Sequence, residues 1–256
     1  MLMGSCRLYS CSRVLLLSTI AMHSLSASAD TSTLDNYQPY LRLIGGYSSF
    51  QSGSDQKLQY QGVTSVVIRD LYKDDDSKNS SFYYGAAAGL AFCLGNNLGL
   101  ELGVLFSGQT DHEYSGYLFQ STQSDLKHFQ YDYKVSSQQL MMEGSLFYSM
   151  TERWSGFASL AAGVSRNQFE NYSLKRLDPN ERSQKPVFGD NTVTDFAWQA
   201  GLGVSMALTS NLSLSAGYYY LDAGKAKAKR DEYYVDKYET DQLISHNLLF
   251  NASYFF

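Results

Sequence analysis

The sequence predicts an all-β fold: an eight-stranded antiparallel transmembrane β-barrel with four long extracellular loops and short periplasmic turns. Three observations predict it. Apolar residues alternate at period two along eight segments, the connections between those segments are alternately short and long, and no apolar run in the body of the chain is long enough for a membrane helix. The composition agrees, with 21 Tyr, 14 Phe and 20 Gly against only 3 Pro. Aromatic residues favour strands, and proline inside a ladder removes a donor.

Residues 1–29 read as a cleaved secretory signal and residues 30–256 as the barrel domain. Arg7 and Arg13 form a positive start, Val14 to Met22 is a short apolar run, and Ala27-Ser28-Ala29 offers small residues for cleavage before Asp30. The whole chain has 20 basic and 25 acidic residues; without Arg7 and Arg13 the balance is 18 to 25, or −7. That charge argues against a nucleic-acid partner, which calls for a basic footprint. Cys6 and Cys11 leave with the leader, so Cys93 has no internal partner and a disulfide scaffold is excluded.

The first strand is predicted at 40–48, with Leu41, Leu43 and Tyr47 opposite Arg42, Ile44, Gly46 and Ser48. The second, 81–94, sets Tyr84, Ala86, Ala88, Leu90 and Phe92 against a face of glycine, alanine and Tyr83. After Gly95-Asn96-Asn97, a good tight turn, the third runs over 98–107 with Leu98, Leu100, Leu102, Val104 and Phe106 on one face and Gly99, Glu101 and Gly103 on the other. The fourth, 131–150, opposes Leu140, Met142, Leu146 and Tyr148 to Gln139, Glu143 and Ser145. The fifth and sixth are placed at 154–167 and 193–208, the seventh at 212–222 and the eighth at 242–256. The short connections fall near 95–97, 151–153 and 209–211; the long ones near 49–80, 108–130, 168–192 and 223–241.

Two features place this alternation in a membrane rather than in water. The face opposite the aliphatic one is mostly Gly, Ala and Ser with few charges, as a narrow lumen requires. Aromatics such as Phe106, Tyr148, Trp154, Trp198 and Tyr254 sit at the ends of the apolar faces, where interfacial girdles belong.

The last third carries a resemblance. Ala200-Gly201-Leu202-Gly203-Val204-Ser205-Met206, the turn Thr209-Ser210-Asn211, Leu212 to Asp222 with Gly224, and Ile244 to Leu249 leading to Phe256 together resemble the opacity-protein family of surface barrels, relatives of the OmpA/OmpX-type. The motif-grade likeness covers residues 196–256. It implies a non-enzymatic surface protein, an adhesin or a structural membrane protein. The last strand also resembles the signal read by the barrel-assembly machinery, through Phe250, Tyr254 and Phe256, and departs from it at Asn251, where that pattern has glycine.

Arg42, Glu101 and Glu143 all fall on the lumen face. A charge there is costly unless paired, so an Arg42–Glu101 or Arg42–Glu143 ion pair is expected, as a structural plug or, in the alternative, the constriction of a small ion-permeable pore. Tyr114, Tyr117, Phe119, Tyr233, Tyr234 and Tyr238 are expected in loops, as contacts for a host or matrix ligand. Asp74-Asp75-Asp76 lacks the spacing of a calcium loop. His112, His128 and His246 form no zinc-like cluster, and Ser245 and His246, adjacent on a strand, point to opposite faces. An acyl-hydrolysing enzyme is therefore the weaker alternative; no catalytic residue, metal or cofactor is assigned. The expected partners are outer-membrane lipids, the assembly machinery and a ligand at the loops.

Overall fold

The computed structural model describes residues 37–51, 56–61, 67–74, 80–94, 97–119, 129–177, 188–229 and 239–256. The expected leader lies outside them. Ten strands follow in order: β1 (Tyr37–Phe50), β2 (Gln56–Gln61), β3 (Val67–Asp74), β4 (Ser80–Cys93), β5 (Leu98–Phe119), β6 (Phe129–Ser149), β7 (Trp154–Arg176), β8 (Asn191–Ala207), β9 (Leu212–Lys227) and β10 (Glu239–Phe255).

Eight of these, β1 and β4 to β10, are the staves of an antiparallel barrel. β1 is flanked by β4 and β10, and the β5–β6 pairing closes the ring. The seam between the first and last staves is in continuous register from Tyr40↔Phe255 to Phe50↔Ser245. Closure leaves no open edge among the staves at the depth of the membrane, where an unpaired backbone group would cost several kcal/mol. Short turns around Asn97, Thr151 and Thr209 gather at the end that also holds Tyr37 and Phe256. At two of them a threonine hydroxyl accepts from backbone N–H groups: Thr151 from Trp154, and Thr209 from Leu212 at 3.0 Å each.

Around this tight-turn half the barrel is inside out relative to a soluble protein. Leu43, Met142, Leu160, Leu202 and Phe250 point outward, each at least 60% exposed, while Arg42, Glu101, Glu143, Ser205 and Asn251 are buried in the lumen. The alternation read from the sequence puts the apolar set on the outer wall, where lipid covers it. Glycine supplies lumen space where rings enter: a Cβ on Gly201 would collide with the Tyr219 ring and come within 2.8 Å of Ser159 Oγ.

The looped half differs from expectation in two ways. Three strands run further than their alternation indicated: β5 to Phe119, β7 to Arg176 and β9 to Lys227, while β6 begins at Phe129, close to the expected start. Three of the four expected loops therefore shorten to the connections 120–128, 177–190 and 228–238. The fourth, between the first two staves, carries the added hairpin β2–β3, whose second strand pairs with β5 from Leu71↔Phe119 to Asp74↔Gly116. The result is a five-stranded wall, β2-β3-β5-β6-β7, standing above one side of the ring.

The strands cross into this half through backbone irregularities. β5 shifts register between Gln109 and His112. β6 and β7 shift between Asp132 and Lys134, opposite Asn171 at φ 57°. β9 turns at Gly224, φ 74°, where a Cβ would lie 2.7 Å from the Asp195 side chain. A bulge advances one strand by a residue and so exchanges its faces. Beyond it, Tyr114, Leu118, Ala226 and Ala228 turn inward and are buried.

Candidate functional site in the lumen and its aromatic cap

The lumen is filled in tiers. At the tight-turn end, β1 presents Arg42, β5 presents Glu101 and β6 presents Glu143. Arg42 Nη1 donates to Glu143 Oε1 at 2.9 Å, Nη2 donates to Glu101 Oε2, and Nε donates to Ser253 Oγ at 3.1 Å. The guanidinium lies 5.1 Å from the centre of the Tyr40 ring, and Ser145 donates to Glu143 at 3.2 Å. One cation thus bridges three strands and both acids. Its worth is in avoiding isolated charge, since a single unpaired buried ion is far costlier than the bridge.

Above it runs an amide and hydroxyl network. Asn251 Nδ2 donates to Tyr219 Oη at 3.1 Å and to Ser215 at 3.0 Å. Tyr83 donates to Gln199 at 3.0 Å, and Ser107 to Gln139 at 3.0 Å. Gln109 Nε2 reaches Ser48 and Ser245, each at 2.8 Å. Asn167 Nδ2 donates to the Ala223 carbonyl at 2.7 Å. These groups would be expensive to bury singly, and their donors are satisfied together, although the amide oxygens of Gln109 and Asn251 find no partner among the described residues.

The third tier is an aromatic cap. Phe50 stacks on His112 at 4.6 Å, His112 meets Tyr114 edge-on at 4.5 Å, and Tyr114 stacks on Tyr133 at 5.0 Å. Tyr133 stacks on Phe169 at 4.7 Å; Tyr131, Tyr72, Phe188 and Tyr172 continue the cluster. His112 is 1% exposed, and neither ring nitrogen has a hydrogen-bond partner among the described residues. Burial pushes its pKa down to about 4, only partly opposed by nearby Glu113.

The structure distributes the expected site residues unevenly. Arg42, Glu101 and Glu143 meet in one cluster. Tyr114 and Phe119, expected at loop tips as ligand contacts, are instead buried on the extended β5: the bulge turns Tyr114 into the cap, and Phe119 is covered where β5 pairs with Leu71 of β3. Tyr117 faces the other way and is half-buried. Tyr233, Tyr234 and Tyr238 lie outside the described residues. Phe250, Tyr254 and Phe256 point outward, with Tyr254 and Phe256 in edge-to-face contact at 5.1 Å. Sequence reading missed His112, Phe50, Tyr72, Phe169 and Phe188 as cap residues. The pairs His112/Tyr114 and Tyr131/Tyr133, each two apart, were the available signal for resumed strands. His246, on the outer wall, meets Tyr218 Oη through Nδ1 at 2.5 Å and Tyr220 at 5.6 Å. No group of three or more metal-ligating side chains occurs among the described residues.

An apolar outer belt, a closed eight-stave ring and a plugged polar lumen define an integral β-barrel of a bacterial outer membrane. The chain belongs to the family described as outer membrane protein beta-barrel domain, which it matches over residues 14–256. It is 25% identical over 167 residues to the outer membrane protein PagN of Salmonella typhimurium, a stretch covering 61% of this chain and 64% of that protein. The match thus spans less than two thirds of the relative's length. Among solved structures it is similar to Neisserial surface protein A, at 14% identity with a TM-score of 0.44, covering 85% of this chain and 97% of that one. It is also similar to OprG of Pseudomonas aeruginosa, at 14% identity and 0.45, covering 86% and 97%. The attachment invasion locus protein Ail of Yersinia pestis follows at 12% and 0.36, covering 87% and 100%. The protein resides in the outer membrane, with lipid against its belt.

Proposed function

We propose that this is a non-catalytic surface protein of adhesin or structural type, which presents a rigid binding face to the outside. The observation that carries the reading is the extracellular half itself: a five-stranded wall locked by an aromatic cap, above a lumen closed by an ion cluster. A pre-ordered face loses little freedom when it meets a ligand. The strands of this half are joined by the connections 120–128, 177–190 and 228–238, and Tyr233, Tyr234 and Tyr238, which belong to the last of them, are the contact residues we assign to a host or matrix ligand. The plugged lumen weighs against the pore alternative, since the staves leave width for side chains and these fill it. Against an acyl hydrolase, Ser245 is buried in the lumen whereas His246 is on the outer wall. Phe250, Tyr254 and Phe256, in one outward row on the last strand, suit an assembly signal presented to the barrel-assembly machinery.

The test compares binding of cells expressing the intact protein with cells expressing variants shortened in each connection, to host-cell monolayers and to matrix proteins. Loss of binding in at least one folded variant is expected. Equal binding by all of them would remove the adhesin reading and leave the structural one. A planar-bilayer recording addresses the pore: steady conductance through the wild type would refute the plugged lumen.

A further inference from the structure

The outer wall carries a polar groove of about 710 Å³ immediately above the apolar belt, lined from four adjacent strands. Its residues include Tyr84 of β4, Thr110, Asp111 and Glu113 of β5, Lys134 and Gln138 of β6, and Gln168 of β7. The β5 bulge makes it: Thr110 and Asp111 both face out, widening the polar shelf. Thr110 Oγ1 is tied down, accepting from the Phe82 N–H at 3.0 Å. The floor is shaped by a missing side chain, because a Cβ on Gly108 would come within 2.6 Å of the Tyr84 ring. That ring therefore lies close over the backbone at the belt edge, with Phe106 and Leu140 below it facing lipid.

The chemistry of the lining is specific in kind. It offers carboxylates and carboxamides, planar groups that pair with neighbouring hydroxyls, beside an aromatic face. Asp111 and Gln138 make no hydrogen bond or ion pair among the described residues, so their capacity is unspent. Glu113 holds Lys134 at 3.0 Å, and Arg166 stands opposite Gln138 in the ladder at the rim. The lining carries two acids, Asp111 and Glu113, against one base, Lys134, which disfavours a polyanion and leaves a neutral polyol. The geometry points to a carbohydrate site: the groove takes a neutral glycan of two or three sugars, with hydroxyls on Asp111 and Gln138 and a sugar face on Tyr84. This goes beyond the ligand binding assigned to the loops, since the site is built on strands at the depth where a glycolipid presents its sugar. A soluble or cell-surface glycan has the same chemistry.

The experiment separates those two sources. The full folded protein in micelles is titrated with free lactose, maltose and diacetylchitobiose. In a second arm the protein in phosphatidylcholine vesicles is heated with and without the same three disaccharides carried on lipid chains. Saturable binding of a free sugar that weakens about tenfold in the Asp111→Ala, Gln138→Ala double variant supports the site and a soluble source. A rise in unfolding temperature confined to the lipid-borne form, and lost in that variant, supports it with a membrane source. A Gln130→Ala control, on the same outer face further from the belt, retains either effect. Heat-modifiable electrophoretic mobility verifies that each variant is folded. No binding in either arm, or binding retained within twofold by the double variant, overturns the proposal. So does tighter binding of a sulfated disaccharide that depends on Asp111 and Gln138.

Discussion

Below the bulges the barrel turns leucine, methionine and phenylalanine outward and closes over arginine, glutamate and serine. Above them the same strands turn Asp111, Glu113, Asp132 and Lys134 outward and close over tyrosine and phenylalanine. The lower half faces lipid, so its polar groups must satisfy one another inside. The upper half faces water and packs as a soluble β-protein does. The difference teaches that the surrounding solvent, and not the strand, decides which face is apolar. β5, β7 and β9 make the exchange in the backbone, through the irregularities at Gln109–His112, Asn171 and Gly224. β6 makes it in its sequence: Leu140 and Met142 are even-numbered and outward, whereas Val135, Tyr133 and Tyr131 are odd-numbered and inward.

The sharpest way to break the contrast is in the lower half. Arg42→Ala strands two buried carboxylates and should cost about 3–5 kcal/mol, seen as a large drop in the unfolding temperature of the folded band on gels. Arg42→Met combined with Glu101→Gln and Glu143→Gln should recover most of the loss; failure to recover would mean that Arg42 acts through something other than charge pairing. In the upper half, Tyr133→Ala removes the ring shared by Tyr114 and Phe169 and should cost about 3 kcal/mol. The damage should stay local, with proteolysis trimming the strands above the bulges and leaving a protected membrane core. Whole-barrel unfolding in step with that trimming would show the halves to be one cooperative unit. Gly201→Ala crowds Tyr219 in the lumen and should cost about 1–3 kcal/mol in the same heating assay, whereas Gly189→Ala, with open contacts of 3.4 Å or more, should not.

The next effect is a pH dependence confined to the cap. His112 has a folded pKa of about 4, below its ordinary value near 6.5. Between those values the opened cap binds a proton that the closed cap does not. The stability of the cap is therefore full above pH ~6.5, declines as pH falls toward 4 and levels off below it. Hydrogen exchange of β5 residues 112–118 should report this decline, and His112→Phe should remove it. The smallest effect belongs to the exposed Glu113–Lys134 pair, where Lys134→Ala should leave unfolding unchanged.

Much of the lower half was legible in the sequence. Alternation placed the eight staves, the outward leucines and the lumen side of Arg42, Glu101 and Glu143, because a single face choice holds along each membrane crossing. The upper half was hidden for the reason just given. At Thr110–Asp111, Asn171 and Gly224 the phase of the pattern breaks, so a period-two reading stops the strand although the ladder continues. Tyr114 and Phe119 were consequently read as loop contacts. The outer groove was equally invisible, since its residues come together only through the pairing of β4, β5, β6 and β7.

The seam between β1 and β10 bears on the order of assembly. Neighbouring staves elsewhere in the ring join by local connections, and each such pair can meet early. The seam joins Gln38 to the Phe256 carbonyl across 218 residues of chain and Arg42 to Ser253 across 211. Its loop-closure entropy is the largest in the molecule, and contacts of such separation slow a folding chain. Arg42 spans that seam while also holding Glu101 and Glu143, so its ion cluster can be complete only once the ring has shut. The buried charge thereby acts as a latch: a curled but unclosed sheet leaves it unsatisfied, and the final stave must arrive before the lower lumen can dry.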